Sequence, residues 1–235
     1  MIPWDAAEVQ FDASTFSGVA RLFPLPNLVL YPHVMQPLHI FEGRYREMLE
    51  DALADDRLIA MALLEPGWEP QYEGRPRVAP HACLGKVVTH RRLEDGHYNL
   101  LLMGVARIRI TRELPPTRSF RQAEVELLED CCELPSQMEH QQLHEQLVSV
   151  LREYSPCACQ PPGELGEMLT QHLSLGLLTD LAAYCLPLDI ACKQQLLAEC
   201  RVAVRARRLL SELEWLGDDP LATSARDFPP PFSAN

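Results

Sequence analysis

One change of period constrains this chain more than any other feature. Up to about residue 130 the apolar residues come in short runs of β character, and beyond it they recur at helical spacing. The early runs fall at 20–25, 35–41, 58–64, 84–92, 98–103, 106–112 and 123–128. Their length and their bounding turn residues predict strands. Alternation is clearest in Ala123, Val125 and Leu127, with Glu124 and Glu126 directed the other way. Glu94-Asp95-Gly96 reads as a hairpin turn, because glycine supplies the positive φ that tight turns need. One helix interrupts the strands. Tyr45, Met48, Leu49, Ala52 and Leu53 form an apolar face against Glu47, Glu50 and Asp51. Strands first and helices afterwards is the order of an α+β fold.

The second half is predicted to be helical. Residues 137–154 carry Leu143, Leu147, Val150 and Leu151 in one stripe. Residues 155–163 read SPCACQPPG, a helix-breaking linker. Shorter helices are expected at 164–175 and 177–185, the latter closed by Pro187, and Asp189 suits the N-cap of a helix over 190–199. The last helix, 201–216, has Val202, Ala206, Leu209, Leu213 and Leu216 at core spacing, with Gly217 as its C-cap. Arg201, Arg205 and Arg208 share one of its faces, which is expected to be solvated rather than a phosphate-binding stripe. The tail, 218–235, has four prolines and little periodicity and is expected to stay disordered.

Charge narrows the classes of partner. The formal net charge of −12, from 21 basic and 33 acidic residues, opposes non-specific nucleic-acid binding, which needs a basic surface. No basic start followed by an apolar run opens the chain, and no apolar stretch is long enough to span a bilayer, so a cytoplasmic protein without membrane contact is expected. In that compartment the eight cysteines are expected to be reduced. No pair of C-x-x-C motifs is present, and Cys157-Ala158-Cys159 is expected to be two free thiols on a loop.

The most specific run is 22–38, LFPLPNLVLYPHVMQPL, continuing HIFEGRYREMLEDAL. It resembles the opening of the Lon protease N-terminal (LON substrate-binding) domain family. A second block, 85–110, is similar to that family's hairpin, including Gly104, Arg107 and Arg109, and 178–216 resembles its helical half. The resemblance implies a PUA-like β-pseudobarrel with one inserted helix, followed by an α-helical bundle. The corresponding divisions are an N-terminal arm at 1–18, the β-pseudobarrel at 19–130, the bundle at 131–217 and the tail at 218–235. Pro24, Pro26, Pro32 and Pro37 fix φ and remove amide donors, so they are expected at edges and turns.

The sequence offers no catalytic residue. Where a phosphate-binding loop would need glycine and Ser/Thr, Pro80 and Val87 flank Gly85-Lys86. His140 and His144 have the spacing of a zinc-protease helix, but Gln141 stands where the general base belongs, and they are expected to be exposed bundle residues. His33 and His39 are expected to be packed or hydrogen-bonded. No cofactor and no metal are expected. The family resemblance therefore implies a non-catalytic recognition module that binds exposed apolar segments of client proteins, or a partner such as a separate protease, in protein quality control. A homo-oligomer is compatible with this. Tyr31, Pro32, His33 and Met35 are the candidate contact residues, because tyrosine and methionine suit adaptable apolar contacts. The alternatives are a PUA-like RNA-binding protein and a ubiquitin-ligase-type substrate receptor of the kind that cereblon-like LON domains suggest.

Overall fold

A computed structural model describes residues 11–72, 74–131, 136–154 and 173–217. The chain divides into two compact units between Leu128 and Glu129. The first unit is a six-stranded sheet: β1 (Val19–Leu25), β2 (Met35–Ile40), β3 (Leu58–Leu64), β4 (Val78–Arg92), β5 (Tyr98–Glu113) and β6 (Arg121–Leu128). Helix α1 (Gly43–Leu53) lies between β2 and β3 in sequence. The strand order is β2-β5-β4-β3-β1-β6, and β6 pairs with β5 as well. Five strands thus close into a ring, while β2 hangs outside it on the first half of β5.

The ring is narrow, and its lining shows how the sequence suits it. Ala20, Ala60, Ala62, Ala82 and Ala123 fill the interior together with Leu22, Leu58, Leu84, Ile108 and Val125. Small barrels need this mixture of small and large side chains, because five converging strands leave no room for large ones at every position. Pro24 sits in β1 beyond the point where β6 pairing ends at Leu22, so its missing N–H removes nothing from that ladder.

Arg21 of β1 fixes the end of α1. Its guanidinium meets Asp51 at 2.6 Å, Asp55 at 2.9 Å and Asp56 at 2.7 Å. The expected apolar face of α1 is buried at Tyr45, Met48, Leu49 and Ala52. The two strands expected at 98–103 and 106–112 are one strand. Across the ladder Leu84 pairs with Ala106 and Gly85 with Gly104, leaving Val105 as an extra residue. The glycine marks a bulge, which bends a strand without ending it.

The second unit holds α2 (Gln137–Tyr154), α3 (Leu175–Cys185), α4 (Ile190–Ala198) and α5 (Val202–Gly217). Ser174 caps α3 through the Leu177 N–H, so this helix begins two residues earlier than its apolar pattern suggests. Asp189 caps α4 as expected. The helix expected at 164–175, the linker at 155–163 and the tail at 218–235 lie wholly or mostly outside the described residues.

On the arginine face of α5, Arg201 and Arg208 are exposed as expected, but Arg205 is not. Arg205 is 0% exposed and is the largest fully buried side chain of the structure. It donates to both carboxylate oxygens of Asp130, at 3.0 and 2.8 Å, and to the Glu199 carbonyl at 2.7 Å. Its Nε faces the buried Asp180 at 3.2 Å. Arg201 pairs with Glu199, and Arg208 bonds Gln195. Removing one member of a buried ion pair leaves an uncompensated charge. Arg205→Met should therefore cost about 3–5 kcal/mol, read as a fall in denaturant midpoint. Adding Asp180→Asn to Arg205→Met should recover part of that loss. A midpoint unchanged in the single variant would show that the pair does not hold this unit together.

Candidate surface on the β2 and β5 strands

The loop before β2 is pinned to β5 at one residue. The His33 N–H donates to the Gly104 carbonyl at 2.8 Å, and the Gly104 N–H donates to the Val34 carbonyl at 2.9 Å. Between these bonds the Tyr31 carbonyl presses against Gly104, and a Cβ there would lie 2.0 Å from its oxygen. Only glycine admits such an approach. His33 completes the turn at φ 65, in the left-handed region. A non-glycine residue held there stores strain of order 1 kcal/mol or more, and such strain gathers at functional sites.

The clamp sets the phase of the β2–β5 ladder. Because Gly104 donates to Val34, the pair Met35–Met103 is non-hydrogen-bonded, and so are the pairs Pro37–Leu101 and His39–Asn99 two and four residues on. Side chains in such pairs approach most closely. Leu38 and Ile40 of β2 and Leu100 and Leu102 of β5 point into the core. Met35, Pro37 and His39, with Asn99, Leu101 and Met103, form the outward face, where each is exposed or half-buried. β4 extends it: Lys86 stands beside Met103, Thr89 beside Leu101 and Arg91 beside Asn99.

The four expected contact residues therefore separate. Tyr31 is 0% exposed and Pro32 is buried, so neither side chain is presented on the surface. Tyr31 contributes through its backbone carbonyl instead. His33 and Met35 are exposed, Met35 at 37%. Sequence reasoning missed Pro37, Leu101 and Met103. In the run from Asn99 to Met103 apolar residues follow one another without alternation, so the sequence does not show which of them lie on the half-buried face.

Polar groups close one end of the face. His39 Nδ1 lies 2.7 Å from Asn99 Oδ1, and its ring sits 5.4 Å from that of His97 and 6.1 Å from that of Phe41. His97 in turn meets Asp95 at 3.0 Å. On the β4 side, burial and then the neighbouring Arg57 cation hold the His90 imidazole below its usual range. Arg92 lies over the Tyr98 ring at 5.8 Å. The hollow at the tip of the β4–β5 hairpin, lined by Arg91, Arg92, Leu93, Glu94 and Asp95, is open to solvent. It lacks the enclosing apolar walls of a small-molecule site.

His144 of α2 bonds the Leu173 carbonyl at 3.0 Å and is half-buried. Among the described residues no group of three or more His, Cys, Asp or Glu is arranged to hold a metal ion. Cys157 and Cys159 lie outside the described residues. No described helix is long and apolar enough to cross a membrane.

Comparison with known proteins gives one answer. Residues 19–214 match the family model for the ATP-dependent protease La (LON) substrate-binding domain. The chain is 28% identical over 207 residues to Lon protease 1 of Bdellovibrio bacteriovorus, an alignment covering 86% of the chain and 25% of that protease. It is also 28% identical to the Lon protease of Azospirillum brasilense, covering 81% of the chain and 23% of the relative. The chain thus spans about a quarter of the length of these proteases. Among solved structures, the N-terminal domain of a Mycobacterium avium complex Lon protease superposes with a TM-score of 0.64 at 17% identity, covering 85% of this chain and 98% of that one. A Lon N-terminal domain protein from Xanthomonas campestris gives 0.60 at 23% identity, covering 84% and 98%.

Gly104→Ala tests the clamp. It should destabilise the chain by at least the about 1–3 kcal/mol typical of overpacking, because backbone rather than a flexible side chain stands in the way. An unchanged melting temperature would show that the loop yields and that the approach is not required.

Proposed function

Since the chain belongs to the LON substrate-binding domain family, we propose that it is a non-catalytic recognition module that takes apolar segments of client proteins on the outward face of β2 and β5. The observation that carries this reading is the cross-strand arrangement of Met35 with Met103 and of Pro37 with Leu101, on a face of the sheet that stays open. Flexible, polarizable methionines suit the capture of many different apolar sequences. The closed five-strand ring supports a PUA-like description of the β unit. Clients in protein quality control, a cytoplasmic setting and service to a separate protease are further parts of the same proposal.

The RNA-binding alternative comes from the PUA-like resemblance, and the arginines of α5 that would support it are engaged within their own unit. The net charge of −12 also opposes it.

Binding of a permanently unfolded client, such as reduced and carboxymethylated α-lactalbumin, tests the site by fluorescence anisotropy. Met35→Ser combined with Met103→Ser should weaken binding by about tenfold, a loss of the size expected for an interface anchor. The melting temperature should stay close to that of the unaltered chain. Tyr31→Ala is the contrasting case. It should cost about 3–5 kcal/mol of stability, as truncation of a buried aromatic does. Undiminished binding in the folded double-serine variant would remove the function from this face.

A further inference from the structure

The outward face is not uniform. Its β2–β5 part is apolar, and the adjoining β4 part is cationic. Lys86 stands beside Met103 and Arg91 beside Asn99 on the same face. Two cations thus share this face, in a chain whose net charge is −12. Several other arginines are matched with carboxylates, as in Arg109–Glu126, Arg112–Glu124 and Arg207–Glu139. Among the described residues Arg91 has no carboxylate at ion-pair distance.

The same strands exclude one mode of capture. Met35, Pro37 and His39 direct their backbone groups away from β5, so they form the free edge of β2. At the middle of that edge Pro37 has no N–H, and its carbonyl already accepts from Gln36 Nε2 at 2.8 Å. A peptide cannot extend the sheet across this point, because the donor is missing and the acceptor is occupied. Selection must therefore come from side chains on the face rather than from added strand pairing.

Resting on the proposed function of the same surface, we infer that the preferred partner is an apolar protein segment flanked by acidic residues. Its apolar residues seat over Met35, Pro37, Leu101 and Met103, and its carboxylates lie against Lys86 and Arg91. The charge complementarity selects this occupant over basic segments, which the β4 flank repels.

Anisotropy with the full chain and three labelled peptides tests this. They share one apolar core and are flanked by glutamates, by serines or by lysines. The glutamate-flanked peptide should bind about tenfold more tightly than the lysine-flanked one. The advantage should shrink as salt rises. Lys86→Glu with Arg91→Glu should reverse the order, and Arg91→Glu alone, at an exposed position, should narrow it. The salt series on the unaltered chain stands whether or not the variants fold. Equal binding of all three peptides overturns the acidic preference and leaves the apolar reading in place. Binding of none of them overturns both. Equally tight binding of a glutamate peptide without the apolar core overturns the composite site. A concentration-dependent dimer in sedimentation that Met35→Glu abolishes would make a second copy the occupant, and would also overturn the inference.

Discussion

The approach of the Tyr31 carbonyl to Gly104 is the contact on which the placement of β2 depends. β2 is not part of the closed ring and has a single strand neighbour. Its placement therefore rests on β5 and on the loop that delivers it. By admitting that carbonyl, Gly104 lets His33 and Val34 bond to its two backbone groups. Those bonds settle which β2 residues face outward, and a slip of one residue would exchange Met35, Pro37 and His39 for Gln36, Leu38 and Ile40. The bulge at Val105 follows from the same glycine. It allows one strand to serve β2 with its first half and close the ring with its second.

The helical unit is organised by a charge instead. A buried guanidinium has five donors to satisfy, and Arg205 reaches partners from three places in the sequence: Asp130, Asp180 and the Glu199 carbonyl. Apolar packing around Val202, Ala206, Leu209 and Leu213 would leave the position of the 129–131 segment open. The bidentate bond to Asp130 fixes it, together with the backbone pairing of Cys131 to Cys200 and Val202. Burying a charge contributes uncertain net stability, but it penalises every arrangement in which the partners are not all present.

Much of this was legible in the sequence. β3 matches its expected bounds, and the other strands were found by their apolar runs, because a strand buried on both faces reads as a short continuous apolar run. The Asp189 cap and the Gly96 turn were legible because each depends on local chemistry alone. The failures share a cause. Tyr31 looked like a contact residue because a tyrosine in a proline-rich loop does not reveal which way it points. What matters there is its carbonyl, which every residue has. Gly104 looked like a strand break, because a bulge is defined by the register of the partner strand. Arg205 looked solvated because its acidic partners are distant in sequence. Each misreading concerns a long-range pairing that a one-dimensional pattern does not contain.

An open apolar face beside a free strand edge is ordinarily an aggregation hazard. Here the two hazards are handled differently. Pro37 removes the edge donor and Gln36 occupies the edge acceptor, so the backbone is blocked to strand pairing at the middle of this edge. The side chains above it remain apolar and open. A surface selected only for solubility would have both features suppressed, starting with a polar residue at the exposed Met35. Blocking the edge while keeping the face separates reversible side-chain contact from irreversible strand addition. On the proposed function that separation matters, because each captured segment would itself be prone to aggregate.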